Sequence, residues 1–150
     1  MAELLWSAVL FVHLLAAVFW VGGQLMLSVV VMPLLRRTAP AATVRELAAA
    51  SGRRFTTITW HGLLPALVVT GLLLAWHDGV RPANLGATAF GRVLLAKAAL
   101  VVVVFGLAAA HGAVARRLGA PGARGIAIAT LGLSVLILAL AAALAVLPGP

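Results

Sequence analysis

Four apolar runs, each long enough to cross a bilayer, constrain this chain more than any other feature. A hydrocarbon core about 30 Å thick requires about 20 apolar residues of helix. Lipid offers no partner to backbone N–H and C=O groups, so a run of this length spans as a helix, which satisfies them internally. The runs extend over Leu4–Leu35, Phe55–Trp76, Val93–Ala115 and Ile126–Leu147. The expected fold is all-α, a four-helix transmembrane bundle forming a single domain over residues 1–150. The first run reads as a retained span, not a cleaved signal peptide. Glu3 stands where a basic segment would precede it, and the apolar stretch is too long.

Composition agrees with the runs. Hydrophobic residues make up 64% of the chain and charged residues 9%, against about 45–50% and about 25% in a soluble domain. A soluble globular domain, a disordered chain and a nucleic-acid-binding domain are excluded, and the bilayer is the expected partner. The net charge of +8 comes from arginines gathered between the runs. The first loop carries Arg36, Arg37, Arg45, Arg53 and Arg54, and the third carries Arg116, Arg117 and Arg124. The second holds only Arg81 and Arg92, beside Asp78. Basic loops stay on the cytoplasmic side, so both termini are expected on the outer side of a bacterial-type inner membrane. Trp6, Trp60 and Trp76 fall near the expected interfaces. The absence of cysteine excludes disulfides, thiolate metal sites and iron–sulfur ligation.

Between the runs, Thr43-Val44-Arg45-Glu46 reads as a capping box. It predicts a short cytoplasmic helix that breaks at Ser51-Gly52. Pro82, Asn84 and Gly86 predict an irregular outer loop. The first run, 32 residues long, would measure about 48 Å as a helix. It must tilt, kink or protrude, and Pro33 is expected to end its membrane part or bend it. The fourth run has no ionisable residue. Its Ala139-xxx-Ala143 and Ala141-xxx-Ala145 spacings favour close helix packing, within the bundle, in a homodimer or against a partner in a membrane complex.

Ionisable residues inside spans are functional candidates. Here they are His13, His61, Lys97 and His111, with His77 at a span end and Gln24 as a further polar group. His61 lies seven residues beyond Arg54 and His111 five before Arg116, so both are about 7.5–10 Å inside the cytoplasmic boundary. Two imidazoles at one level on consecutive spans suit a bis-histidine metal centre, or two separate interhelical hydrogen bonds. Gly62 and Gly112 follow them and would leave room for a flat macrocycle. Arg54 and Arg116 would receive its propionates. Pro65 cannot donate to the His61 carbonyl, so the backbone is expected to open there. Lys97 and His111, fourteen residues apart, share a helix face, and Lys97 is shallow enough to snorkel outward. His13, Ala17, Trp20, Gln24 and Ser28 form a polar face on the first span. With Lys97, the residues His13, Trp20 and Gln24 are expected to line an outer polar pocket. His77 faces away from His61 and reads as a solvated span end.

The run His13-Leu14-Leu15-Ala16-Ala17-Val18-Phe19-Trp20-Val21-Gly22-Gly23, with Pro33 after it, resembles the opening span of the CopD-type membrane proteins. Phe90-Gly91-Arg92-Val93-Leu94-Leu95-Ala96-Lys97, followed by an apolar run and Arg116-Arg117-Leu118, resembles that family's later G-R-x-L-L-x-K span. The resemblance covers most of the first three spans and implies copper resistance or uptake. The chain is also similar to the four-helix membrane protoporphyrinogen oxidases, which bind haem b. His13, Trp20 and Lys97 match that family's motifs, whereas its arginine after W-x-G is absent here and its lysine-to-histidine spacing differs.

Two functions compete, a haem b-binding redox protein, with a membrane oxidoreductase among its forms, and a copper transporter. A structural subunit of a membrane complex is a third. Cu(I) selects thiolate and thioether ligands. Beyond Met1 the chain offers only Met26 and Met32, about 120° apart on a helix. The candidate ligands for haem iron, or alternatively a copper ion, are His61, His111 and His13.

Overall fold

The structure, a computed structural model, describes residues 1–149, and their side chains except those of residues 112–116, 118, 120, 121 and 123. Every element among them is helical. Four helices are long and apolar enough to cross a membrane, over Ala2–Thr38, Ala41–His77, Ala89–His111 and Arg124–Leu144. These are the marks of a multi-pass membrane protein. The chain divides into two compact units, Met1–Ala75 and Trp76–Pro150.

The first unit is a hairpin of two long rods. One rod comprises α1 (Ala2–Leu25), a π-helical turn (Met26–Val31) and α2 (Met32–Thr38). The other comprises α3 (Ala41–Ile58), a second π turn (Thr59–Leu63) and α4 (Leu64–His77). The two π turns share one cause. A proline within a helix lacks the N–H for a bond to the carbonyl four residues back, and its ring crowds that carbonyl. Pro33 and Pro65 each stand two residues after a π turn. The residue before each proline bonds five residues back, Met32 N–H to Leu27 O and Leu64 N–H to Thr59 O. The wider turn absorbs the misfit, and each rod remains helical through its proline. Pro33 therefore does not end the first rod, and the opening expected at Pro65 is the second π turn.

Two sequence expectations are corrected here. No capping box forms, because the helix begins at Ala41 with Pro40 as its N-cap residue and no side-chain cap bond. Proline's fixed φ suits a helix start, and it places Thr43 already inside the first turn. Nor does the helix break at Ser51-Gly52. A mid-helix glycine costs about 1 kcal/mol, but the half-buried stripe Val44, Ala48, Ser51 and Phe55 continues across it at helical spacing.

The rods run antiparallel and approach closely where side chains are small. A Cβ added at Gly23 would stand 2.6 Å from the Phe55 ring, and one at Gly71 would stand 3.2 Å from the His13 ring. Such small-residue contacts are how helices pack where lipid removes the hydrophobic driving force. Ala16, Trp20 and Val21 are buried on α1, and Thr59 and Thr70 on the second rod.

The second unit opens with a segment of turns over residues 78–88, as Pro82, Asn84 and Gly86 lead one to expect. Asn84 organises it, since its Oδ1 accepts from Arg81 N–H at 2.8 Å and its Nδ2 donates to Gly79 O at 3.0 Å. Thr88 then caps α5 (Ala89–Leu144) by accepting from Gly91 N–H at 3.0 Å. Helical residues continue along α5, but Gly119, with φ 65° and ψ −158°, interrupts it between the third and fourth spans. That conformation is essentially open to glycine alone.

Candidate functional site

His13 sits at mid-length on α1, half-buried. Its Nδ1 lies 2.7 Å from Thr70 Oγ1 on the opposite rod. The Thr70 hydroxyl proton goes to Ala66 O, one turn back on its own helix. A hydroxyl has one proton to give, so Thr70 accepts at this contact and His13 Nδ1–H donates. In the neutral ring the lone pair is then on Nε2. A second group that fixes the tautomer and plane of an imidazole is the usual support of a metal-ligating histidine. Gly71 adjoins this pair, and its missing side chain admits the ring.

His61 lies in the second π turn, exposed on its rod. Its Nδ1 is 3.0 Å from Thr57 O. A carbonyl only accepts, so Nδ1–H donates and Nε2 again carries the lone pair. Nothing stands within 4 Å of a Cβ placed on Gly62, so the backbone beside the ring is open. The π turn is a distortion frequent at functional sites. Thr59 in the same turn is buried, and its Oγ1 has no hydrogen-bond partner among the described residues. Arg54 is exposed and forms no ion pair among the described residues.

The expected polar face of α1 holds in part. His13, Ala17 and Gln24 are half-buried and Trp20 is 4% exposed, but Ser28 is exposed. Ser28 falls in the first π turn, whose wider spacing shifts the helical phase and carries it off the face. In the second unit, Lys97 and His111 are half-buried on one uninterrupted stretch of helix. Neither forms a hydrogen bond among the described residues. The side chain of Arg116 and the surroundings of Gly112 lie outside what the structure describes. His77 is exposed, its Nδ1 3.4 Å from Asp78 Oδ1. No group of three or more His, Asp or Glu side chains that could hold a metal ion occurs among the described residues. A bis-histidine centre requires only two.

Sequence reasoning passed over Thr70. A signal for it exists, since Thr70 is the lone hydroxyl between His61 and Trp76 and is followed by glycine. Its link to His13, 57 residues away, belongs to the hairpin register.

No protein-family model matches this sequence, and no curated protein or solved structure matches it either.

Proposed function

We propose that this chain is a haem b-binding membrane protein that transfers single electrons, seated in a bacterial-type inner membrane with both termini outside. The observation that carries the reading is the hydrogen bond from His61 Nδ1–H to Thr57 O. It holds the imidazole with its Nε2 lone pair available on an exposed turn, beside a glycine that leaves the flank open. A neutral imidazole adds no charge to a low-dielectric site and suits haem iron. In this reading His61 and His111 would hold the haem iron, and Arg54 and Arg116 would neutralise the propionates. His13, with its ring held by Thr70, serves a second centre in the outer half. Trp20 and Gln24 share its helix face, and Lys97 is the further polar group that this reading assigns to the outer half. When bound, the haem supplies a one-electron change at iron. The chain's own part is to orient the imidazoles through Thr57 and Thr70, to clear space at Gly62 and to place positive charge at the propionates. Copper transport is weaker chemically, because the only methionines beyond Met1 are Met26, which opens the first π turn, and Met32, which follows it, and no thiolate exists in the chain.

Absorbance of the purified full chain tests the reading. A Soret band with split visible bands on reduction is expected, and His61→Ala and His111→Ala should each lower haem content. Full haem in both variants would overturn the ligand assignment, and a colourless protein with stoichiometric copper would overturn haem itself. Bleaching by His13→Ala alone would move the haem to the outer half. Orientation is tested with Arg45→Cys, whose labelling from outside intact cells would reverse the topology.

A further inference from the structure

The end of the first hairpin carries a cleft that the haem reading does not use. Each rod is 37 residues long, about 55 Å of helix, whereas about 20 residues cross the hydrocarbon. Some 25 Å of each rod is therefore surplus to the crossing. The charged residues show where the surplus lies. Arg36 and Arg37 end α2, and Arg45, Arg53 and Arg54 ride on α3. Glu46 is the one acid between residues 36 and 54, and these five guanidinium groups form no ion pair among the described residues. Arg36 and Arg45 line a common open cleft of about 270 Å³ with Ala39, Ala41 and Val44. The same end of the hairpin leaves Val30, Leu34 and Leu47 exposed, Leu34 by 58%.

We propose that this cleft binds the phosphate headgroup of an anionic phospholipid of the leaflet at this end of the hairpin, the inner one under the proposed topology on which that choice of leaflet rests. Guanidinium is suited to phosphate oxygens because its planar fork donates two parallel hydrogen bonds. A soluble phosphate would satisfy the arginines but give no role to Val30, Leu34 and Leu47. A lipid satisfies both, with its phosphate between Arg36 and Arg45 and its acyl chains along the apolar residues. Arginine clusters at the cytoplasmic end of a span draw anionic lipid in this way. The two rods would thereby be held at a fixed depth although they exceed the thickness they cross.

The test uses the full chain purified in a neutral maltoside and needs no haem. Thermal unfolding, followed by tryptophan fluorescence, is measured with phosphatidylglycerol, phosphatidylcholine or inorganic phosphate. Phosphatidylglycerol should raise the unfolding temperature, and the other two at equal concentration should not. The double variant Arg36→Gln/Arg45→Gln should bind phosphatidylglycerol about thirtyfold more weakly. Arg81→Gln/Arg92→Gln, at the other end of the spans, should retain its affinity. If the double variant does not fold, Arg36→Gln and Arg45→Gln are read singly, each about fivefold weaker. Equal responses to the two lipids, or unchanged affinity in the Arg36 and Arg45 variants, would overturn the proposal. A response to inorganic phosphate equal to that with phosphatidylglycerol would overturn the lipid as the source.

Discussion

The two units of this chain hold their polar groups by different means. In the first, a histidine on one rod is held by a threonine 57 residues away, and each rod carries a π turn before a proline. In the second, the hydrogen bonds around Asn84, Thr88 and Arg92 join residues at most six apart. Its bend rests on one glycine in a left-handed conformation. Local bonding shapes a loop or a helix end without reference to the rest of the fold. A bond across the rods requires their register, and it ties a side chain to a second element, where a local bond such as His61 to Thr57 O ties it only to its own helix. The first unit is thus the one whose structure supports an oriented imidazole from a second element.

Glycine substitutions break this contrast most sharply. In the second unit, a Cβ at Gly91 would overlap Leu85 O and stand 2.7 Å from Leu85 C. Backbone cannot yield as a side-chain tip can, so Gly91→Ala should cost about 3 kcal/mol, read as a fall in resistance to denaturant of the purified protein. Gly119→Ala should cost about 2 kcal/mol for its left-handed φ, with a matching fall in thermal unfolding temperature.

Thr70→Val probes the first unit. It removes the acceptor of His13 Nδ1–H at nearly constant volume, leaves that donor unsatisfied, and should cost about 1.5 kcal/mol. Thr70→Ser should recover most of the loss. If His13 ligates haem, the Thr70→Val spectrum should shift while Thr70→Ser stays unchanged, a distinction that a purely structural role would not produce. The smallest effect has the opposite sign. Gly52 lies mid-helix with nothing within 4 Å of an added Cβ, so Gly52→Ala should stabilise by about 0.8 kcal/mol. A loss there would mean that the helix does break at Ser51-Gly52, as the sequence alone suggests.

What the sequence determined by itself follows from solvent and covalent constraint. Apolar runs of sufficient length dictate four helices that can cross a membrane, because backbone groups have no partner in lipid but one another. Pro33 and Pro65 mark where the helical bonding must open, because a missing N–H is a property of the residue and not of the fold. Asn84 and Gly86 mark an irregular loop for a similarly local reason. What only the tertiary structure decided depends on register and phase. The π turns shift the helical phase, so 100° arithmetic placed Ser28 on a face from which it is absent. The half-buried stripe from Val44 to Phe55 carries α3 through Gly52, although local propensity would stop it. Thr70 became the partner of His13 only when two rods came to lie antiparallel at one register, with Gly71 thin enough to admit the ring. Each of these is a relation between residues distant in sequence, where packing outweighs local preference by amounts that no single segment contains.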